Sequence, residues 1–361
     1  MTHKTYDVVI VGAGPAGANF ARLINTDKYK VAIIDGSEGH DKVCGGLLSP
    51  DAQDVLARYD ISLPCGLLAS PQLFSVRTID LANGYTRHYR RSYMNVDRAK
   101  FDNFMRSLIP QAVDLVGARC KRISKTGELY ELETVSGDFI TCKCVVGADG
   151  AASVVRNSLF KHKKIHKYIA IQQWFDAGQT NPYYSCIFDN DTSSGCSWVS
   201  FKDGMMIFGG AFDKENGREA FEAQKQKLID LGFVEKEAFT NPTKTEACLV
   251  CRPHFSGGIF IGNSGAYLLG EAAGFISPSS FEGISYALSS AEALADAFNR
   301  EPDIISHGRV ARRYKNNTAK LIAKIQIRCI KRPFMYNKLL RRAVMKSGLT
   351  SITIRKTQNK H

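Results

Sequence analysis

No stretch of this sequence approaches the roughly twenty consecutive apolar residues of a membrane-spanning helix, which excludes a helical span of that kind. It has no internal repeat and no low-complexity linker, so neither a repeat array nor a tethered tail is expected. Residues 304–361 contain no Asp or Glu against 16 Lys and Arg. The rest of the chain carries 32 basic and 35 acidic residues, so the net charge of +13 resides in the C-terminal segment. Only Lys4 stands as a positive flank before the first apolar run, "YDVVIVGAGPAGANFA". Its glycines and proline suit a strand, a turn and a helix better than a secretory signal. Without such a signal the ten cysteines read as reduced and cytosolic. Cys248-Leu-Val-Cys251 and Cys142-Lys-Cys144 lack the partner pair of a zinc site, so structural thiols are expected.

What is present is ordinary for a folded protein: 361 residues, 44% hydrophobic and 23% charged, enough for a large core and two lobes. The first apolar run followed by "KVAIID" predicts the opening of a βαβ unit with a parallel sheet. Helical spacing follows in "SPDAQDVLARYD" and "DRAKFDNFMRSLI", and Asn83-Gly84 marks a hairpin between strand-like runs. Residues 120–150 read as a strand meander. From about 166 to 254 short aromatic strands dominate, interrupted by the helix "GREAFEAQKQKLIDLG". The predicted fold is α/β (α+β overall): a Rossmann-like domain from 1–70, 95–165 and 255–300, an interleaved antiparallel β domain from 71–94 and 166–254, and a basic helical segment over 301–361.

Gly12-Ala-Gly14-Pro15-Ala16-Gly17 lies between strand and helix, and Asp35 ends the next strand eighteen residues past Gly17. The first glycine permits the tight turn, the second lets backbone approach a pyrophosphate, and the third packs helix on strand. The free N–H groups of the helix start suit phosphates, and Asp35 can accept from a ribose hydroxyl. A second strand–turn–helix loop of this kind is missing, since "FGGAF" (208–212) lacks the frame. The reductant is therefore expected to be transiently bound NAD(P)H or a protein electron donor.

Three further segments, "NVDRAKFDNFM", "VVGADGAASVVR" and "YLLGEAAGFISPSSFEGISYA", resemble motifs of FAD-dependent enzymes with the p-hydroxybenzoate hydroxylase-like fold. The resemblance implies FAD as cofactor. It assigns Arg98 to the pyrophosphate, Asp149 to a tight loop beside it, Gly270 and Glu271 to the ribityl chain, and Gly283 and Ile284 to the flavin edge. Read from the residues alone, Arg98 can be a helix-surface cation and Asp149 a turn residue. Within this fold group "KVCGGLLSP" and "GEAAGFISPSSFEGI" are similar to motifs of the geranylgeranyl reductase-like family. Two departures stand out: Glu271 where the family has Asp, and Trp198-Val-Ser-Phe201 where its reductases carry Trp-x-Phe-Pro.

The family resemblance implies reduction of a carbon–carbon double bond in an apolar, prenyl-type or lipid substrate, by hydride from flavin N5. Cys44, held by Gly45 and Gly46, is the candidate proton donor, since a thiol of pKa about 8.5 keeps its proton at neutral pH. The same cysteine can also be an ordinary packed thiol. Trp174, Tyr184, Trp198, Phe208 and Phe281 are candidates for the apolar pocket. The fold equally supports a flavin-dependent monooxygenase, or a membrane-associated FAD-binding regulatory or resistance protein. Halogenation ranks low because Trp-x-Trp-x-Ile-Pro is missing. In "TAKLIAKIQIRCIKR", Leu321, Ile322, Ile325, Cys329 and Ile330 share one helical face opposite a basic one. That pattern fits a peripheral helix on an anionic membrane at its cytoplasmic side, or a docked helix with a solvated basic face. An acidic electron-donor protein is a further candidate partner; nucleic acid is not expected.

Overall fold

The computed structural model describes residues 4–36, 42–177, 181–193, 195–255, 257–302 and 305–353. Of the expected basic segment, residues 303–304 and 354–361 lie outside the described residues. The first part of the chain forms β1 (Lys4–Val11), α1 (Pro15–Leu23), β2 (Val31–Ile34), β3 (Leu47–Leu48), α2 (Pro50–Arg58), β4 (Leu73–Asp80), β5 (Tyr85–Asn95) and α3 (Arg98–Ser107). Next come β6 (Asp114–Val116), β7 (Cys120–Thr126), β8 (Leu129–Thr134), β9 (Phe139–Gly147), α4 (Val154–Leu159), β10 (His166–Asp176), β11 (Tyr183–Phe188), β12 (Ser197–Lys202) and β13 (Met205–Phe212). The chain continues through α5 (Gly217–Asp230), β14 (Lys244–Arg252), β15 (Gly262–Asn263), β16 (Ala266–Leu268), α6 (Ile284–Asn299), α7 (His307–Tyr336), α8 (Lys338–Ser347) and β17 (Ser351–Ile352).

Two sheets organise these elements. The first has a parallel core in the order β16-β9-β1-β2-β6, with β15, β8 and β7 added antiparallel. Its central strands are apolar on both faces, as strands covered from both sides must be: Val8, Val9, Ile10, Val31 and Ile33 are all buried. Helices α1 and α6 pack together on it, with Phe20 and Phe298 edge to face at 5.8 Å. Full burial of one such ring stabilises the fold by about 1.5–3 kcal/mol. At Gly17 an added Cβ would fall on the Gly12 carbonyl, so only glycine lets α1 start this close to the turn. Strand β6 escapes sequence reading because three edge residues give no usable periodicity.

The second sheet runs β14-β10-β13-β12-β11-β4-β5-β17. It is antiparallel except for β4 and β11, which pair in parallel. This departs from the expected antiparallel lobe. The β4–β5 hairpin enters the sheet from a distant part of the chain, so no short turn constrains its direction against β11. Between the sheets runs the 42–49 segment, whose β3 pairs with β5. Helix α7 lies along α6. Its Ile325 is buried, and Leu321, Ile322 and Cys329 pack on the first core. The stripe expected to face lipid is thus covered by protein along most of its length, while Ile330 is 51% exposed. Among the described residues no helix is long and apolar enough to cross a membrane.

Candidate functional site

A cavity of about 830 Å³ opens where the two sheets meet. Gly12, Gly14, Pro15, Ala16, Asp35, Arg98, Asp149, Glu271, Gly283 and Ile284 line one part of it, from the turns that end β1, β2, β9 and β16 and the starts of α1, α3 and α6. Cys44 and Gly45 line it from the loop between the sheets, and Tyr184, Trp198 and Phe281 from the second sheet and its neighbour. The sequence therefore brings one set of residues together from segments more than 250 positions apart.

Three expected glycines support the lining from behind. Gly17 carries the close approach already described. Gly46 has φ +63°, and a Cβ there would meet the Val96 carbonyl and Lys202 Nζ. Gly270 donates its N–H to Ser290 Oγ at 2.9 Å. Two expected pocket residues lie elsewhere. Phe208 alternates out of phase with its neighbours Gly209 and Ala211, and so packs under α5 with Phe221 at 4.9 Å and Phe239 at 5.2 Å. Trp174 sits at the far end of β10, where its Nε1 donates to Glu246 at 2.6 Å.

The charged residues have protein partners that sequence reading did not supply. Glu271 is buried; its Oε1 accepts the Cys251 N–H at 2.7 Å and its Oε2 accepts from Lys42. The carboxylate expected to await a ribityl hydroxyl thus already has one protein donor on each oxygen. Burial opposes the charge on Lys42, but Glu271 beside it outweighs burial and raises the lysine pKa. Arg98 Nε donates to both oxygens of the buried Asp102, at 2.9 and 3.0 Å, and Cys44 stands near enough to the same guanidinium to act on it electrostatically. Burial disfavours its charge; Cys44 and Asp102 together reverse that and raise its pKa. Asp35 pairs with Arg106. Asp149 Oδ2 accepts from the N–H groups of Val154 at 2.6 Å and Val155 at 3.3 Å, while Oδ1 is buried with no protein partner. Burial raises the Asp149 pKa, only partly countered by Ser153 and the backbone N–H groups around it.

Around Cys44 the sulfur accepts the Gly46 N–H at 3.4 Å. Lys202, at 6% exposure, donates to the Gly45 carbonyl at 3.0 Å and so clamps the loop. Burial lowers its pKa. Trp198 fills the space left by Gly209 across the strand pair and donates to Gln172 Oε1 at 3.2 Å. Tyr93, Cys186 and Cys196 also line the cavity and were missed by sequence reading, because only strand register brings them there. Lys42 stood inside the quoted motif, with no signal in the sequence for its partner.

The geometry can be set beside known proteins. The pattern described as lycopene cyclase protein matches residues 7–173. A geranylgeranyl bacteriochlorophyll reductase-like protein from Thermoplasma acidophilum has a similar fold, with TM-score 0.78 at 18% identity over 96% of this chain and 91% of that one. PqsL, a probable FAD-dependent monooxygenase from Pseudomonas aeruginosa, gives TM-score 0.71 at 16% identity over 96% and 100%. These show the Rossmann-type fold that flavoproteins of this group share. In sequence, the chain is 40% identical to Protein CbrA of Escherichia coli K12, over 96% of this chain and 98% of that one. The protein belongs to the CbrA family.

Proposed function

We propose that this protein binds FAD and reduces a carbon–carbon double bond in an apolar, prenyl-type or lipid substrate. The observation that carries the reading is the single cavity that joins a dinucleotide-type glycine turn, a thiol and an apolar aromatic wall. The residues fit the cofactor. A Cβ on Gly14 would meet no protein atom within 4 Å, so the α1 start is open to a close ligand. That helix start has no side-chain cap and no acid in its first turn, which leaves its amides and dipole for a diphosphate. The orphaned Asp149 Oδ1 is a buried acceptor in want of a donor, and a cofactor hydroxyl supplies one. Reduced FAD, when bound, supplies hydride from N5.

The chain's own residues supply the rest. The Cys44 sulfur accepts from Gly46 and lines the cavity, where its S–H protonates the second carbon of the double bond. Tyr93, Tyr184, Trp198 and Phe281 exclude water around an apolar chain. Burial pushes Tyr93 up to about 12, so its hydroxyl stays protonated. Exposed Arg90, Arg91 and Lys331 on the rim suit an anionic head group on that chain. Met335 lines the same rim, and Ile330, Phe334, Leu339, Val344 and Leu349 are exposed among the lysines and arginines of α7, α8 and the residues after them. This patch, rather than the covered stripe of α7, supports docking on an anionic membrane. Electrons arrive from NAD(P)H or a protein donor. The test is product mass: anaerobic turnover with a prenyl lipid should add two hydrogens per bond, and addition of an oxygen atom in air would favour hydroxylation instead.

A further inference from the structure

The second sheet has two faces, and the site described above uses one of them. Along β11, Tyr184 and Cys186 face that first cavity, while Tyr183, Ser185 and Ile187 alternate to the other side. Strands β4 and β12 follow the same period. Val76 and Trp198 face the first cavity, and Arg77, Ile79, Val199 and Phe201 face away from it. On that opposite face a second cavity of about 500 Å³ lies between the sheet, Leu228 of α5 and the chain that follows this helix. Among the described residues the two cavities share no lining side chain. Close-packed interiors leave few spaces larger than a water molecule, and this volume falls within the roughly 300–1,000 Å³ of ligand pockets.

The floor of the second cavity is apolar. Ile79, Ile187, Val199, Phe201 and Met206 are all buried there in one core cluster. One polar group interrupts it. Ser185, at 3% exposure, stands between Arg77 and Val199 on the neighbouring strands. Its hydroxyl has no hydrogen-bond partner among the described residues. Buried hydroxyls are normally paired, so this one offers its hydrogen bond to a ligand. Asp176, Glu235 and Glu237 line the cavity and are exposed, which places their carboxylates at its mouth. None of the three has an ion-pair partner among the described residues. Arg77 is the one cation in the described lining, and it is engaged. Its Nη1 donates to Tyr183 Oη at 3.4 Å, and its guanidinium lies 5.8 Å from the Tyr183 ring and 5.9 Å from the Phe233 ring. Three carboxylates against one guanidinium leave the lining negative, on a chain whose net charge is +13.

We propose that this second cavity binds an amphiphilic amine: an aromatic or aliphatic body that carries a hydroxyl and ends in a protonated amino group. The body covers the apolar floor, the hydroxyl pairs with Ser185, and the ammonium lies among the carboxylates at the mouth. An anion of the same shape would meet those carboxylates and find Arg77 already stacked on two rings. The site stands on the far side of the sheet from the glycine turn and does not depend on the flavin reading.

The experiment is isothermal titration of the full-length protein, as purified, with three matched probes. These are tyramine, phenethylamine, which lacks the hydroxyl, and phloretate, which has a carboxylate in place of the amine. Tyramine should bind one to one. Phenethylamine should bind about fivefold more weakly, the scale of one hydrogen bond. Phloretate should bind about fivefold more weakly or worse, the scale of an exposed ion pair. In Ser185→Ala the difference between tyramine and phenethylamine should vanish. In the double variant Glu235→Lys and Glu237→Lys, which changes exposed side chains only, the order of tyramine and phloretate should reverse. No saturable tyramine binding overturns the proposal, as does wild-type protein that holds phloretate more tightly than tyramine. Tyramine binding that the double lysine variant leaves unchanged also overturns it, because the amine then sits elsewhere. That variant decides the matter even where Ser185→Ala fails to fold.

Discussion

Lys42 and Glu271 form an ion pair that ties the loop between the two sheets to the segment leading into α6. The pair links the two places where the chain's motifs are most distinctive: the lysine of "KVCGG" and the glutamate of "GEAAGF". One oxygen of the Glu271 carboxylate meets Lys42 while the other holds the Cys251 amide. Lys42→Met should therefore lower the thermal midpoint at neutral pH. A lysine whose folded pKa is raised contributes stability that is complete below its unfolded value of about 10.4 and is lost as pH rises through the higher folded value. The gap between wild type and variant should hold from pH 6 to 9 and close above about 10.4. A gap that persists unchanged at higher pH would show that the methionine acts through packing instead.

Asp149→Asn separates two roles. Burial raises the carboxyl pKa in the fold, so its ionised form costs stability at neutral pH, and that cost fades as pH falls toward the unfolded value of about 3.9. The amide keeps an oxygen for Val154 and Val155 but turns the orphaned acceptor into a donor. The cofactor-free variant should melt at or above the wild-type temperature at pH 7, yet bind FAD about tenfold more weakly, the worth of one hydrogen bond. Fluorescence titration checks the second outcome. Equal FAD affinity would leave Asp149 as a turn residue.

The glycine turn, Asp35 and Asp149 were legible because local backbone needs dictate them within a few residues. The start of α6 was legible for the same reason. The wall of the cavity was not. Phe208 and Trp198 look alike as aromatic strand residues, and only the register of β12 against β13 turns one toward the cavity and the other under α5. Glu271 could be seen as a longer acid, but its partner Lys42 lies 229 residues away. The apolar stripe of α7 had the correct periodicity for either lipid or protein, and packing on α6 chose protein.

Cys44→Ser and Cys44→Ala should both retain FAD, since neither removes a contact that the glycine turn makes. Both should slow substrate-driven reoxidation of the reduced protein. Alanine, with no proton to give, should be the slower by about tenfold or more, within the usual span of general-acid contributions. Stopped-flow absorbance under nitrogen reads this directly. Full rates in both variants would make the thiol structural.

The C-terminal patch predicts a second separable effect. Phe334→Ser combined with Leu339→Ser and Leu349→Ser alters side chains that are 60%, 72% and 70% exposed, so the fold should be preserved. Sedimentation with anionic vesicles should be lost, while neutral vesicles bind neither protein. Undiminished sedimentation of the triple variant would assign any membrane binding to the basic charge alone.

The central claim is that this cavity delivers reducing equivalents to an apolar double bond. Its most direct measurement is flavin reoxidation under nitrogen, with photoreduced protein and a fractionated prenyl-lipid extract. The account predicts that at least one fraction restores oxidised-flavin absorbance far faster than buffer, and yields a lipid heavier by two hydrogens. Reoxidation no faster than buffer across all fractions, with hydroxylated lipid appearing only when oxygen is admitted, would contradict it.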